Sequence, residues 1–474
     1  MKLTLPRPEL KEALAGLSKV AIPRANLPIL SHVRLEAEGQ TVRLTGTDLS
    51  QVVVYEIKCD EPVSSPVSAL ILLESLQSLL KTTNGPAVEI DVRKDEVELV
   101  GSISGQAISR RVDMPDQKDW PVLPARATMK PVDVQFLSHI RQAATFASTD
   151  DSRPLLKAIY LDVQDKACHK VVATDSRRLT ALNSVRLPLS ASVIVPVTRF
   201  LTWGKLAGSP CIGTDATSFT LNIGPWTYTT KVVEGRFPNY HQVVPCYDDA
   251  RTLELSPEDT ELLVKALPSL PTYEGSLDAV VLCLEPNGAR IYSRQDAKAP
   301  ESAIRLEKSK HSGRGSFAIG LNREFFREAL IAGFKIWEMR DPTSPLLGRI
   351  TKDDKGSVHV LMPIRTIDHE VQRTEAPTSE PKPAPVPVQP QPIQKESSMP
   401  KKPEAPQAAT TEVPTSLDRI LSAYELAKDA VRQANTALAD VAESVRAAIK
   451  EDRARRKEIS DVRAGLARLQ AIRV

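Results

Sequence analysis

The sequence predicts an α+β body in which a unit of about 120 residues is used three times, followed by a proline-rich linker and a helical tail. Three observations predict this. Short motifs recur at a near-constant offset: Leu27-Pro28-Ile29-Leu30 is answered 126 residues later by Arg153-Pro154-Leu155-Leu156, and Gly46-Thr47-Asp48 is answered 127 residues later by Ala173-Thr174-Asp175. Each third opens a sheet with a similar apolar strand: Val33–Ala37, Ile159–Val163 and Ala279–Leu284. The composition then changes abruptly near residue 369, from mixed globular sequence to proline.

The elements follow in order. In the first third, Leu10, Leu14, Leu17 and Val20 share one helical face, and Leu72, Leu76 and Leu79 share another. In the second third, Phe136, Ile140, Ala143 and Ala147 form one such face. Phe200, Trp203 and Leu206 are read as its partner helix. In the third, Leu262, Leu263, Ala266 and Leu267 pair with Phe325, Phe326, Leu330 and Ile331. Ser256-Pro257 is a helix start, with a hydroxyl at the cap and proline in the first helical position. The expected domains are 1–125, 126–248 and 249–368, then a linker over 369–414 and a tail over 415–474.

The linker carries eleven prolines between Pro377 and Pro414. Proline removes backbone donors, and the stretch has too few large apolar residues to bury a core, so a disordered spacer is expected. From Thr415 to Val474 there is no proline. Leu417, Ile420, Leu421, Tyr424, Val431, Leu438, Val441, Val445 and Ile449 recur at three-, four- and seven-residue spacings, the pattern of a helix or coiled coil.

Charge and composition exclude several function classes. The chain has 474 residues, with 62 basic and 59 acidic. Residues 1–368 hold 45 basic and 44 acidic residues, so the body does not grip nucleic acid by bulk charge. No apolar run is long enough for a membrane helix, and the N-terminal segment has no signal core. The five cysteines show no CxxC spacing, as expected of reduced thiols in a cytoplasmic protein. There is no phosphate loop, no HExxH and no completed GxGxxG: Gly313-Arg314-Gly315 is followed by Ala318 where a third glycine is required. No catalytic residues, metal site or cofactor are expected.

Four motifs then carry a resemblance. Arg24-Ala25-Asn26-Leu27-Pro28-Ile29-Leu30, with Leu44-Thr45-Gly46-Thr47-Asp48-Leu49, resembles the opening signature of the bacterial sliding clamp, the beta subunit of DNA polymerase III. Val172–Leu179 is similar to that family's Ala-Thr-Asp-Gly-His-Arg-Leu motif, Gly235–Tyr240 to Gly-Arg-Phe-Pro-Asp-Tyr, and Val360–Arg365 to its Met-Pro-Met-Arg end. They stand in the family's order on a threefold repeat.

The resemblance implies a non-enzymatic DNA polymerase processivity factor. Three domains per chain would form a head-to-tail homodimeric ring that encircles double-stranded DNA without reading sequence. Helices would line the hole and sheets would lie outside. Weak phosphate contacts suffice for a tether of this kind. The helical basic residues put forward for them are Lys11, Arg141, Arg199, Lys205, Arg323 and Arg327, with Lys19, Lys265 and Lys335 beside them. Arg24 stands at the family's DNA-contacting position. The resemblance also implies a peptide pocket that receives DNA polymerase III subunits and the clamp loader. Carried over by motif, its residues are Leu156, Thr174, Ser176, Arg177, Arg178, Leu179, Pro238, Val243, Val360, Met362, Pro363, Ile364 and Arg365. The apolar members would hold leucine and phenylalanine anchors, and Arg178 and Arg365 would fix the peptide backbone or an acidic end. Ser176 and Arg177 depart from the family's common Gly-His. The dimer interface is expected between the first and third domains, near Leu267–Thr272. The alternative reading is a diverged clamp-fold paralogue, a scaffold acting through its coiled-coil tail.

Overall fold

In the computed structural model the described residues are 1–364, apart from 22–26, 125–126, 185, 273–276, 296–298, 314 and 353–355. By packing, the chain divides into Met1–Ser379 and Glu380–Val474. The expected linker and coiled coil lie outside the described residues.

The described residues contain five α-helices: α1 (Arg7–Leu17), α2 (Leu73–Thr82), α3 (Gln135–Thr145), α4 (Pro257–Ala266) and α5 (Arg323–Ile331). Their apolar stripes are buried much as the spacing predicts. Leu10, Leu14, Leu17, Phe136, Ile140, Leu263, Phe326 and Leu330 are all in the core, whereas Leu262 and Ile331 face outward. The start at Ser256-Pro257 is as expected, with the Ser256 hydroxyl accepting from the Asp259 amide at 3.0 Å. Asn322 caps α5 in the same way, accepting from the Phe325 amide at 2.9 Å.

One expected helix is absent. Residues 198–206 form successive turns. The Thr198 and Thr202 hydroxyls bond to nearby main chain, Thr202 Oγ1 donating to the Thr198 carbonyl at 2.9 Å, and Gly204 follows. Threonine hydroxyls compete with the helical ladder, and glycine favours leaving it, so the run is too weak to propagate.

An arginine takes the carbonyls at the end of the partner segment in each third. Arg7 Nη2 donates to the Leu80 and Thr83 carbonyls, both at 2.7 Å. Arg141 Nη2 donates to Leu206 at 2.6 Å and Trp203 at 3.2 Å. Arg327 Nε donates to Val264 at 2.8 Å, and Arg323 to Leu270. At the ends of α2 and α4 the terminal carbonyls lack intrahelical donors and carry the negative end of the helix dipole, so a half-buried cation satisfies both needs; Arg141 plays the same part for the carbonyls of a turn.

The strands of the described residues form four antiparallel sheets. Two are shared between thirds. In the six-stranded sheet, Gln51–Leu72 of the first third pairs with Trp226–Lys231 of the second, Tyr55 opposite Trp226. In the nine-stranded sheet, Arg178–Ser184 of the second pairs with Val358–Leu361 of the third, Leu179 opposite Val360. The same rule governs both: the last strand of one third completes the sheet of the third before it. Two four-stranded sheets remain. One, in the first third, ends on Gln106–Asp113, and the other, in the third, ends on Ser302–Leu306. Gln106–Asp113 is exposed along nearly its whole length.

Candidate functional site

The site grows out of the turn Thr174–Arg178. Thr174 Oγ1 donates to the Arg178 carbonyl at 2.7 Å, and Asp175 Oδ1 accepts from the amides of Arg177 and Arg178, both at 2.9 Å. The turn needs a left-handed residue, and Ser176 supplies it at φ 77°. A serine there is strained relative to glycine, so the turn is held by its side-chain bonds. It delivers the chain into the Arg178–Ser184 strand with a fixed phase, and that phase decides what each side chain does.

Successive residues of a strand face opposite sides. Leu179, Ala181, Val358 and Val360 lie on the side away from the helices, in an apolar cluster with Ala158, Val172, Phe237 and Tyr240. Leu155 and Val244 pack against this cluster half-buried, and Leu156 is half-buried beside them in sequence. Above it, Pro238 is exposed, Val243 is 46% exposed and Met362 is 39% exposed. The Met362 amide donates to the Arg177 carbonyl at 3.0 Å, which ties the third strand's end to the turn. Pro363 and Ile364 are half-buried, the Ile364 amide donating to the Gly320 carbonyl at 2.9 Å. Structure therefore brings together Leu179, Val360, Met362, Thr174, Ser176 and Arg177 around one junction. Arg365 lies outside the described residues.

Arg178 goes the other way, and this corrects its expected role. Its guanidinium is only 7% exposed and faces the helix side. Nε bonds Asp175 Oδ2 at 3.0 Å, Nη1 bonds Glu328 of α5, and Nη2 donates to the Thr145 carbonyl at 3.2 Å. The Phe325 ring lies 4.2 Å from its Cζ and the Phe146 ring 5.2 Å. Each of its three nitrogens bonds inside the protein, and the buried group faces away from the slot, so it is not placed to hold a peptide on the far side. It joins the second third to the third, helped by Gln142 Nε2 donating to the Ala332 carbonyl at 2.7 Å.

Beside it stands His359, which the sequence reading missed. Its ring is fully buried against Phe146, Phe334 and Trp337. Neither ring nitrogen has a hydrogen-bond partner among the described residues. Burial, with the Arg178 charge adding to it, lowers its pKa to about 3. The signal for both residues was available: period-two alternation puts Arg178 and His359 on the face opposite Leu179 and Val360.

The basic residues proposed for DNA divide. Lys11, Arg199 and Lys205 are exposed, the last two on turns rather than on a helix. Arg141, Arg323 and Arg327 are the carbonyl clamps described above, and Arg323 also pairs with Asp278 at 3.0 Å. Of the others, Lys265 is exposed and paired with Glu261 at 2.6 Å. Arg24 lies outside the described residues. No group of three or more metal-capable side chains occurs among the described residues, and none of their helices is long and apolar enough to cross a membrane.

Comparison with known proteins bears directly on this arrangement. The family model described as DNA polymerase III beta subunit, N-terminal domain, matches residues 1–124, and that for its central domain matches residues 132–239. The beta sliding clamp of Caulobacter vibrioides is 29% identical over 387 residues, covering 77% of this chain and all of the relative. The first two thirds of the body thus each match one domain of that family. The beta sliding clamp of Pseudomonas aeruginosa, 26% identical, likewise matches 77% of this chain over its own full length. A solved P. aeruginosa clamp, bound to griselimycin, superposes with a TM-score of 0.67 at 23% identity, covering 77% of this chain and 100% of its own. The Caulobacter crescentus clamp gives 0.65 at 25%, with the same coverage. The body has the sliding-clamp fold, and the proteins it resembles are beta sliding clamps, the beta subunit of DNA polymerase III.

Proposed function

We propose that the body is a processivity clamp, without catalysis of its own. Two copies close head to tail around duplex DNA, and the junction of the second and third domains takes anchor peptides from DNA polymerase III subunits and the clamp loader. The domains on this reading are 1–125, 126–248 and 249–368. One observation carries it. The second and the third domains each lend their last strand to the domain before, which leaves the first with a strand to lend, Gln106–Asp113, and the third with a strand to receive one, Ser302–Leu306. Open edges of this kind invite pairing with another chain, and a second copy offers the matching pair.

On this reading the interface centres on these edges rather than on Leu267–Thr272. Leu267 and Leu270 are buried in their own core, and Arg323 holds the Leu270 carbonyl, so that segment has little to give a partner. Ile108, 40% exposed on the lending strand, is the residue to test. Ile108→Asp should shift the protein from dimer to monomer by at least tenfold in sedimentation. An unchanged dimer removes this interface. Encirclement itself is tested by loading the protein on nicked circular DNA with its loader and then linearising the circle. Release supports a ring, and retention means ordinary binding.

A further inference from the structure

We infer that Arg177 gives the slot a charge preference: it selects peptides whose apolar anchors are flanked by a carboxylate. This rests on the slot reading above and deepens it.

The argument is an account of the charges around the junction. The acidic side chains that could balance Arg177 are already engaged. Asp175 accepts from the Arg177 and Arg178 amides and from Arg178 Nε. Glu328 is bonded to Arg178. Asp150 accepts from Ser152 at 2.9 Å and 2.7 Å and faces Arg153 at 3.4 Å. Asp151 is held by Lys157. On the Gly235 loop, Glu234 and Arg236 are both exposed and cancel in sign. What is left over is positive. The Arg177 side chain is exposed and makes no hydrogen bond or ion pair among the described residues, while its backbone is fixed at both ends, by Asp175 and by Met362.

A guanidinium anchored by its main chain next to an exposed methionine is a built recognition pair. The methionine offers an adaptable apolar wall, and the arginine offers a planar fork that takes a carboxylate by two parallel bonds. Ser176 matters here too. Arg153 Nη1 donates to its Oγ at 3.4 Å, which holds a second guanidinium on the same rim. Glycine at position 176 would leave that bond unmade. The two departures from the family's common Gly-His thus meet on one rim: Arg177 adds the unbalanced charge, and Ser176 helps hold Arg153, which stays paired with Asp150.

The test uses the full-length protein and two synthetic peptides with the same leucine and phenylalanine anchors. They differ only in aspartate against asparagine beside the anchors, and binding is read by fluorescence anisotropy at low and high salt. The expected result is a roughly three- to fivefold preference for the aspartate peptide, which shrinks with salt. Arg177→Gln should bind the two peptides alike, with its melting temperature intact. Equal binding of both peptides by the unmodified protein overturns the inference, as does a preference that survives Arg177→Gln. Met362→Ala separates the two claims. If it weakens both peptides by the same factor, the slot stands whatever Arg177 does. If it changes neither, the slot reading fails and this inference fails with it.

Discussion

At the junction of the first and second thirds, the turn Thr47–Gln51 repeats the turn Thr174–Arg178 bond for bond. Thr47 Oγ1 donates to the Gln51 carbonyl at 2.8 Å, Asp48 Oδ1 accepts from the Ser50 and Gln51 amides, and Leu49 has φ 75° where Ser176 has 77°. The Lys231 amide donates to the Ser50 carbonyl at 2.9 Å, as Met362 does to Arg177. The backbone frame is the same and the side chains are not. Gln51 bonds Asp48 through its amide at 2.7 Å and makes only a long bond across the junction, accepting from the Tyr228 hydroxyl at 3.4 Å, whereas Arg178 makes a charged bond to α5. Tyr228 occupies the place of His359. Its hydroxyl is satisfied by Thr198 at 2.8 Å, while the His359 ring nitrogens have no partner among the described residues. Lys231 stands for Met362. The repeat supplies geometry, and a handful of substitutions turn one junction into a locked seam with an apolar slot above it.

The largest contrast should come from the locks. Arg178→Met leaves Asp175 and Glu328 without their buried cation and should cost about 3 to 5 kcal/mol in urea unfolding. Gln51→Met removes a half-buried amide and should cost less than about 1 kcal/mol. Equal costs would mean that the crossing bond adds nothing. Next come the slots. Met362→Ala and Leu179→Ala should each lose about 1 to 3 kcal/mol of partner-peptide binding with the body still folded. Lys231→Ala at the first junction should lose none. Loss at Lys231 would show that both junctions dock peptides.

The third contrast is with pH. His359 is a base held far below its ordinary 6.5, so the unfolded chain takes up a proton between about pH 6 and pH 3 that the folded chain refuses. Stability is therefore level above neutrality and falls in acid, by roughly 1 kcal/mol per pH unit from this ring alone. Tyr228 contributes nothing in that range. His359→Phe should flatten the acid slope and leave the protein at least as stable at pH 7, since it removes two unpartnered buried nitrogens. An unaltered slope in denaturation at pH 4 to 7 rules the ring out as the source.

How much of this was legible depended on the kind of signal. Helical stripes and the Ser256 cap are local, and they read through. The 198–206 turns did not, because three aromatic and aliphatic residues at helical spacing outweighed Thr198, Thr202 and Gly204 in the reading. Arg178 was misjudged because motif matching assigns a residue to a site without assigning its face. The clamp role of Arg141, Arg323 and Arg327 depends on which carbonyls end nearby, and no spacing encodes that. The open edges of Gln106–Asp113 and Ser302–Leu306 are properties of sheet order, visible only once pairing is known.

The arginine clamps have one further consequence. Arg7 and Arg141 have Nη2 groups committed to carbonyls and no ion pair among the described residues, so each keeps its full positive charge. Charge and grip are thereby separated. A polyanion passing such a residue is drawn by its field at a distance, within the screening length of the solution, and finds few donors to latch onto. For a protein proposed to travel along DNA, that is a low-friction bearing: attraction spread evenly along the path, with few sticking points on it.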